Sequence, residues 1–271
     1  MKNIEQLSSV IKALVFAGLC LLFSMPVSAQ TPPAEIVYVE SNLMKVEPGM
    51  EADYLKAEQV WKKVHQRRMA DGKILNWLLI HRLYPSGTNA DYDYQTATFF
   101  KSGKELEEAK NMTWDYLTKG MSKEDLAIAE NTTKTRKMVA RALFMELERG
   151  KPGGRFVQYV HMKVANGKEE EVEKFAKMMN PVLAEANKMG NITSWVFGRH
   201  LYPQTADGEN YYRIFITNSL DDILKNETNG YFMEAFKKVY PNKDFMATMN
   251  GVGMISKDLG TEIWEIIDHA N

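Results

Sequence analysis

Met44-Lys45-Val46-Glu47-Pro48-Gly49 and Met162-Lys163-Val164-Ala165-Asn166-Gly167 open two stretches that end on Leu83-Tyr84-Pro85 and Leu201-Tyr202-Pro203. Matching residues lie 118 positions apart throughout, so 44–85 aligns with 162–203 without a gap, and 13 of 42 positions are identical. The shared pairs include Glu51/Glu169, Lys56/Lys174, Val64/Val182, Gly72/Gly190, Ile74/Ile192 and Trp77/Trp195. A constant offset over that length indicates two copies of one unit. Two copies are too few for a solenoid and point to a fused pseudo-dimer.

Each copy reads alike. Ile36–Val46 and Phe156–Val164 alternate and are rich in Val, Tyr and Met, which predicts first strands. Pro48-Gly49 and Asn166-Gly167 are turns into amphipathic helices. The apolar face carries Tyr54, Ala57, Trp61, Val64 and Arg68 in one helix, and Val172, Phe175, Met179, Val182 and Ala186 in the other. Gly72 and Gly190 supply left-handed caps, and Pro181 should kink the second helix. Second strands follow at Ile74–Leu83 and Ile192–Leu201, then third strands at Tyr92–Phe100 and Tyr211–Thr217. Helical inserts, with caps at Ser102, Ser122, Ser219 and Asn242, lead to closing strands at Arg141–Glu148 and Glu262–Asp268. The expected order is β-α-β-β-α-β, twice.

Such a unit is α+β: an antiparallel sheet with helices on one face only. Its bare face must be buried, and a duplicated chain can bury it against its twin. The strand, the Pro-Gly or Asn-Gly turn, the amphipathic helix and the Trp-bearing second strand resemble the dimeric α/β-barrel superfamily. That group includes antibiotic-biosynthesis monooxygenases, NIPSNAP-like proteins, haem-degrading monooxygenases, and the chlorite-dismutase and dye-peroxidase families. The resemblance covers nearly all of residues 36–268. It implies two tandem ferredoxin-like units, 30–150 and 151–271, packed sheet to sheet as an intramolecular barrel.

The first 29 residues read as a signal peptide. Lys2 and Lys12 precede an apolar run from Ala13 to Phe23, and Val27-Ser28-Ala29 suits cleavage before Gln30. That run is too short to span a bilayer, so the expected product has no integral membrane segment and is periplasmic or secreted. The chain's one cysteine, Cys20, would leave with the signal. The 34 Lys and Arg against 35 Asp and Glu, for a net charge of -1, leave no electrostatic footprint for nucleic acid.

Phosphate-binding glycine loops, dinucleotide fingerprints, His-Glu-x-x-His helices and Gly-x-Ser-x-Gly elbows are all missing from the sequence. The most suggestive residues are His81-Arg82, which become Arg199-His200 in the second copy. Period-two geometry puts one His and one Arg on each face, exchanged between copies. These four are the catalytic candidates: a His as general base and an Arg holding a carboxylate, a haem propionate or a substrate anion. As strand-end residues they equally suit solvent or acidic partners. His65, beside Arg67 and Arg68, reads as a solvated face, and His269 as a frayed end.

Glu40 and Asn42 interrupt an apolar strand; they mark either a site or a face turned to water-filled barrel space. With Trp77, Tyr84, His161, Trp195 and Tyr202 they form the ligand-binding candidates. Haem-degrading relatives use an Asn, a Trp and a His in one pocket, and Asn42, Trp77 and His81 supply those types. Relatives of the chlorite-dismutase kind bind haem through a helical His in their C-terminal half, whereas Lys168–Met189 contains no His. The sequence requires no cofactor and shows no metal-ligand spacing. Three readings stay open: a cofactor-independent monooxygenase-like enzyme acting on a flat, partly apolar molecule, a non-catalytic ligand-binding module, and a protein-interaction module, with oligomers possible. The resemblance places the pocket under the helices of one copy.

Overall fold

The computed structural model describes residues 36–87, 89–228 and 230–270, so the expected signal peptide, with Cys20, lies outside the described residues. The first half contains β1 (Val37–Val46), α1 (Glu51–Ala70), β2 (Asn76–Tyr84), β3 (Tyr94–Phe100), α2 (Gly103–Lys110), α3 (Trp114–Thr118), α4 (Lys123–Glu130), α5 (Thr132–Thr135) and β4 (Arg136–Arg149). The second half contains β5 (Phe156–Val164), α6 (Glu169–Lys188), β6 (Ser194–Tyr202), β7 (Tyr211–Thr217), α7 (Leu220–Asn226), α8 (Tyr231–Val239), α9 (Phe245–Gly253) and β8 (Ser256–His269).

The eight strands close into one antiparallel barrel in the order β1-β3-β2-β8-β5-β7-β6-β4. The expected α/β barrel is present, and it closes edge to edge, β2 on β8 and β4 on β6, so the two sheets are joined along their edges as well as facing each other. Closure removes every free edge, which a pair of stacked sheets would have left exposed. The closing strands are longer than their alternation suggested, 14 residues each, because their first turns stay largely exposed while pairing with β1 and β5. His269 is not frayed; it is exposed but still pairs with Leu78.

Strand alternation sorts side chains into two environments. Val37, Val39, Ile80, Ala97, Val157 and Trp264 fill the barrel. Met44, Trp77, Leu79, Tyr94 and Phe100 face outward and pack on Tyr54 of α1. The matching outward layer of the second half, Val160, Met162, Val164 and Tyr211, packs on Val172 and Ala176 of α6. Val64 and Val182 are both buried, each contributing about 1.5–3 kcal/mol as a buried aliphatic side chain. Pro181 leaves α6 continuous over its 20 residues. The cap expected at Asn242 is instead at Asp244, whose side chain accepts from the Ala247 amide at 2.8 Å.

Candidate functional site

Glu40, Asn42 and Met44 alternate along β1 on the face turned away from the barrel, and Thr96 and Thr98 share that face on β3. The alternative of water-filled barrel space for Glu40 and Asn42 is therefore corrected. Opposite them, α1 presents Glu58, Trp61, His65 and Arg68 at spacings of three and four, one stripe of the helix. Between this stripe and the sheet lies a half-open cavity of about 640 Å³, bordered by Leu106 and Lys110 of α2, Leu117 of α3, and Arg136 and Arg141 of β4.

Its walls are polar, and most of the charges are matched. Glu58 is buried, and its Oε1 lies 2.7 Å from Nη1 of Arg136. Burial pushes the Glu58 carboxyl up despite that cation. Arg141 donates through Nε to Asn42 at 2.9 Å and lies 4.0 Å from Glu40.

Arg68 is the exception. It is 8% exposed, no carboxylate lies within ion-pair distance of it among the described residues, and burial lowers its pKa against the longer-range pull of Tyr116 and Glu40. Its Nη1 sits 3.1 Å from His65 Nδ1, and its buried Nε has no partner. The His65 ring stacks on Trp77 at 5.0 Å and 10°. Burial, then repulsion from Arg68 and Arg136, drives the His65 pKa down to about 3, so the ring is neutral at physiological pH. A guanidinium only donates, so Nδ1 must carry the lone pair and Nε2 the hydrogen. His65 thus faces the cavity as a donor. The reading of His65 as a solvated face is corrected: Trp77, itself 1% exposed, covers it.

The second half repeats the geometry with other chemistry. A cavity of about 460 Å³ lies between α6, α8, α9 and the outer face of β5–β7, lined by Val160, Met162, Met179, Trp195, Phe215 and Phe232 among others. Positions 118 beyond Glu58, His65 and Arg68 hold Ala176, Leu183 and Ala186. Trp195 donates to Asn180 Oδ1 at 3.2 Å.

The proposed catalytic quartet lines neither cavity. His81 is under the helices but stacks on Tyr94 at 4.7 Å. Arg199 is engaged by Glu173 and Tyr211, at 2.8 and 2.7 Å from its Nε. Arg82 and His200 point into the barrel with His161. There Arg82 Nη1 lies 3.2 Å from Glu262 and its guanidinium 3.6 Å over Tyr92. His161 Nδ1 is 2.6 Å and His200 Nδ1 2.9 Å from the two oxygens of Glu209. Burial opposes the charged form of His161, but hydrogen bonds to Glu209 and Glu262 outweigh it and raise its pKa to about 9. Burial likewise opposes ionisation of Glu209, yet His161 and His200 hold it at about 2. Two carboxylates meet two cations and a histidine, so this network is internally compensated. Tyr84 and Tyr202, 59% and 69% exposed, stand at strand ends outside both cavities. Of the ligand-binding candidates, Glu40, Asn42 and Trp77 come together in the first cavity, and Trp195 lies in the second.

Neither cavity fits haem. The second contains no histidine, and in the first the one imidazole has its lone pair committed to Arg68.

No family model and no curated protein matches the chain. Among solved structures it is similar to a proposed monooxygenase from Fusobacterium nucleatum subsp. nucleatum ATCC 25586, at 10% identity and a TM-score of 0.50 over 88% of this chain and 95% of that one. A proposed monooxygenase from Lactobacillus acidophilus NCFM gives 10% identity and a TM-score of 0.50 over the same shares of the two chains. An anthrone oxidase-like protein is 9% identical over 87% of this chain and 92% of its own, with a TM-score of 0.49. The likeness to the two proposed monooxygenases establishes the fold, an α/β barrel, and nothing finer.

Proposed function

We propose that the protein is an exported α/β barrel, built as two tandem ferredoxin-like units, that binds a flat, partly apolar small molecule in the cavity of its first half. The observation that carries this reading is the stripe of buried Glu58, half-buried His65 and buried Arg68 turned toward a half-open space of about 640 Å³. Pockets of this size with a few placed polar groups amid apolar ones are how proteins hold small ligands. Export rests on the signal-like pattern of residues 1–29.

Binding ranks ahead of turnover. A cofactor-independent oxygenase must deprotonate its substrate; the cavity's one imidazole offers a hydrogen and no lone pair, and its buried carboxylate, Glu58, is held by Arg136 at 2.7 Å. Calorimetric titration of the full chain with 2-naphthol should show saturable binding that Ala109→Phe, at the cavity wall, abolishes. No saturable heat, or heat unchanged by that variant, would remove the reading. Oxygen uptake with 1,4-naphthohydroquinone separates the enzyme reading: uptake above the buffer rate that the same variant abolishes would favour it.

A further inference from the structure

The second cavity sorts its lining by depth. Val160, Met162, Val172, Met179 and Leu183 are buried, and no charge stands among them. Inside, Asn180 accepts from the Trp195 indole at 3.2 Å and donates to Glu148, so its amide is already engaged on both sides. The charged lining residues stand at the water end. Asp258 and Glu227 are exposed; Arg213 donates to both oxygens of Asp258 at 2.9 and 2.7 Å, and Glu227 accepts from Gln158. A guest with its apolar part inside and its polar group at this rim leaves nothing buried without a partner, whereas a polar group at the deep end would be stranded.

The lining also bears on the guest's shape. Its rings are packed on neighbouring rings, Phe215 on Phe232, Phe197 on Tyr211 and Phe245 on Phe236. Met162, Met179 and Met249 line the same space, and unbranched thioethers conform to a flexible guest better than to a rigid one. We infer that the second cavity is a separate site for a single-chain amphiphile, a linear aliphatic chain with an uncharged polar head. The chain would lie along Met179, Leu183 and Met162, and the head at Asp258 and Thr261, where the matched Arg213–Asp258 pair offers a hydroxyl partners and a charged head no counter-ion. A space of about 460 Å³ is of the size that holds small ligands. This site lies in the other half from the one proposed above and does not depend on it.

The test is calorimetry on the full chain with 1-hexanol, 1-heptanol and 1-octanol. Each added methylene should tighten binding roughly fourfold. The diol 1,8-octanediol should bind roughly tenfold or more weakly than 1-octanol, because its second hydroxyl would be buried without a partner. Octanoate should bind no more tightly than 1-octanol. Val252→Trp, which fills the space from α9, should abolish alkanol binding, and Ala109→Phe in the first cavity should leave it unchanged. An affinity that is flat along the series, or a diol equal to the alcohol, would overturn the inference without recourse to any variant. Tighter binding of octanoate would overturn the uncharged head. Binding that survives Val252→Trp, or that Ala109→Phe removes, would overturn the location. Absence of saturable heat from every alkanol would overturn the site while leaving the 2-naphthol measurement to judge the first cavity by itself.

Discussion

Raising the pH from about 6 to about 9.5 should destabilise the barrel through His161. The ring lies between Glu209 and Glu262, 2.6 Å and 3.8 Å away, with a pKa raised from 6.5 to about 9. A folded pKa above the unfolded one means that stability is fully present below pH 6.5 and is lost as pH rises through 9. At about 1.36 kcal/mol per unit, the loss is about 3 kcal/mol, and the side chain is only 26% exposed, so solvent screening trims it little. The matching position of the first half is Leu43, which makes His161→Leu the natural comparison. In that variant Glu209 keeps His200, and Glu262 keeps Arg82 and Tyr92. Urea denaturation of both proteins, followed by Trp fluorescence at the two pH values, gives the difference directly. The parent should lose about 3 kcal/mol more than the variant over this interval. Equal losses would show that the network does not hold His161 charged, and the compensated-network account would fall.

Three shorter predictions concern the frame. Arg136→Met should destabilise the fold by about 3–5 kcal/mol in urea titration by leaving the Glu58 carboxylate buried alone, and Glu58→Gln added to it should restore part of the loss. Gly198→Ala should cost about 1–3 kcal/mol in the same assay, since a Cβ there would overlap the Met145 carbonyl and the Tyr212 hydroxyl; an unchanged midpoint would contradict the close β4–β6 approach. Residues 30–150 expressed alone should precipitate or elute as a dimer in size-exclusion chromatography, because β2 and β4 lose their partners β8 and β6; a soluble monomer would show that the halves do not need each other.

The architecture was legible because it is written in local periodicities and in the repeated 118-residue offset. The stripe of α1, the alternation of β1 and the Gly72 and Gly190 caps are short-range features. The site was less legible. His81-Arg82 and Arg199-His200 attracted attention as a chemical pattern, yet what decides their role is Glu209 and Glu262, distant in sequence and brought near only when the barrel closes. His65 was masked by its two arginine neighbours, which make the local sequence look solvated. A signal for the cavity was nonetheless present: Arg68 falls on the apolar face of its helix, where the second copy has Ala186, and a guanidinium in that place is anomalous.

That contrast also argues that the barrel as such does not require the polar stripe. The barrel interior is one core, so the charges of Arg82, Glu262, His161, Glu209 and His200 must balance for both halves at once, and they do. Each gap between sheet and helix belongs to a single half and can differ in chemistry without disturbing the other. In the second half, Ala176, Leu183 and Ala186 take those three positions, and the polar contacts between helix and sheet come from Glu173 and Asn180 instead. The backbone therefore does not demand Glu58, His65 and Arg68. Arg68 is answered within its own half by His65 at 3.1 Å and by the longer-range field of Glu40, and so belongs to the chemistry of that half's gap alone.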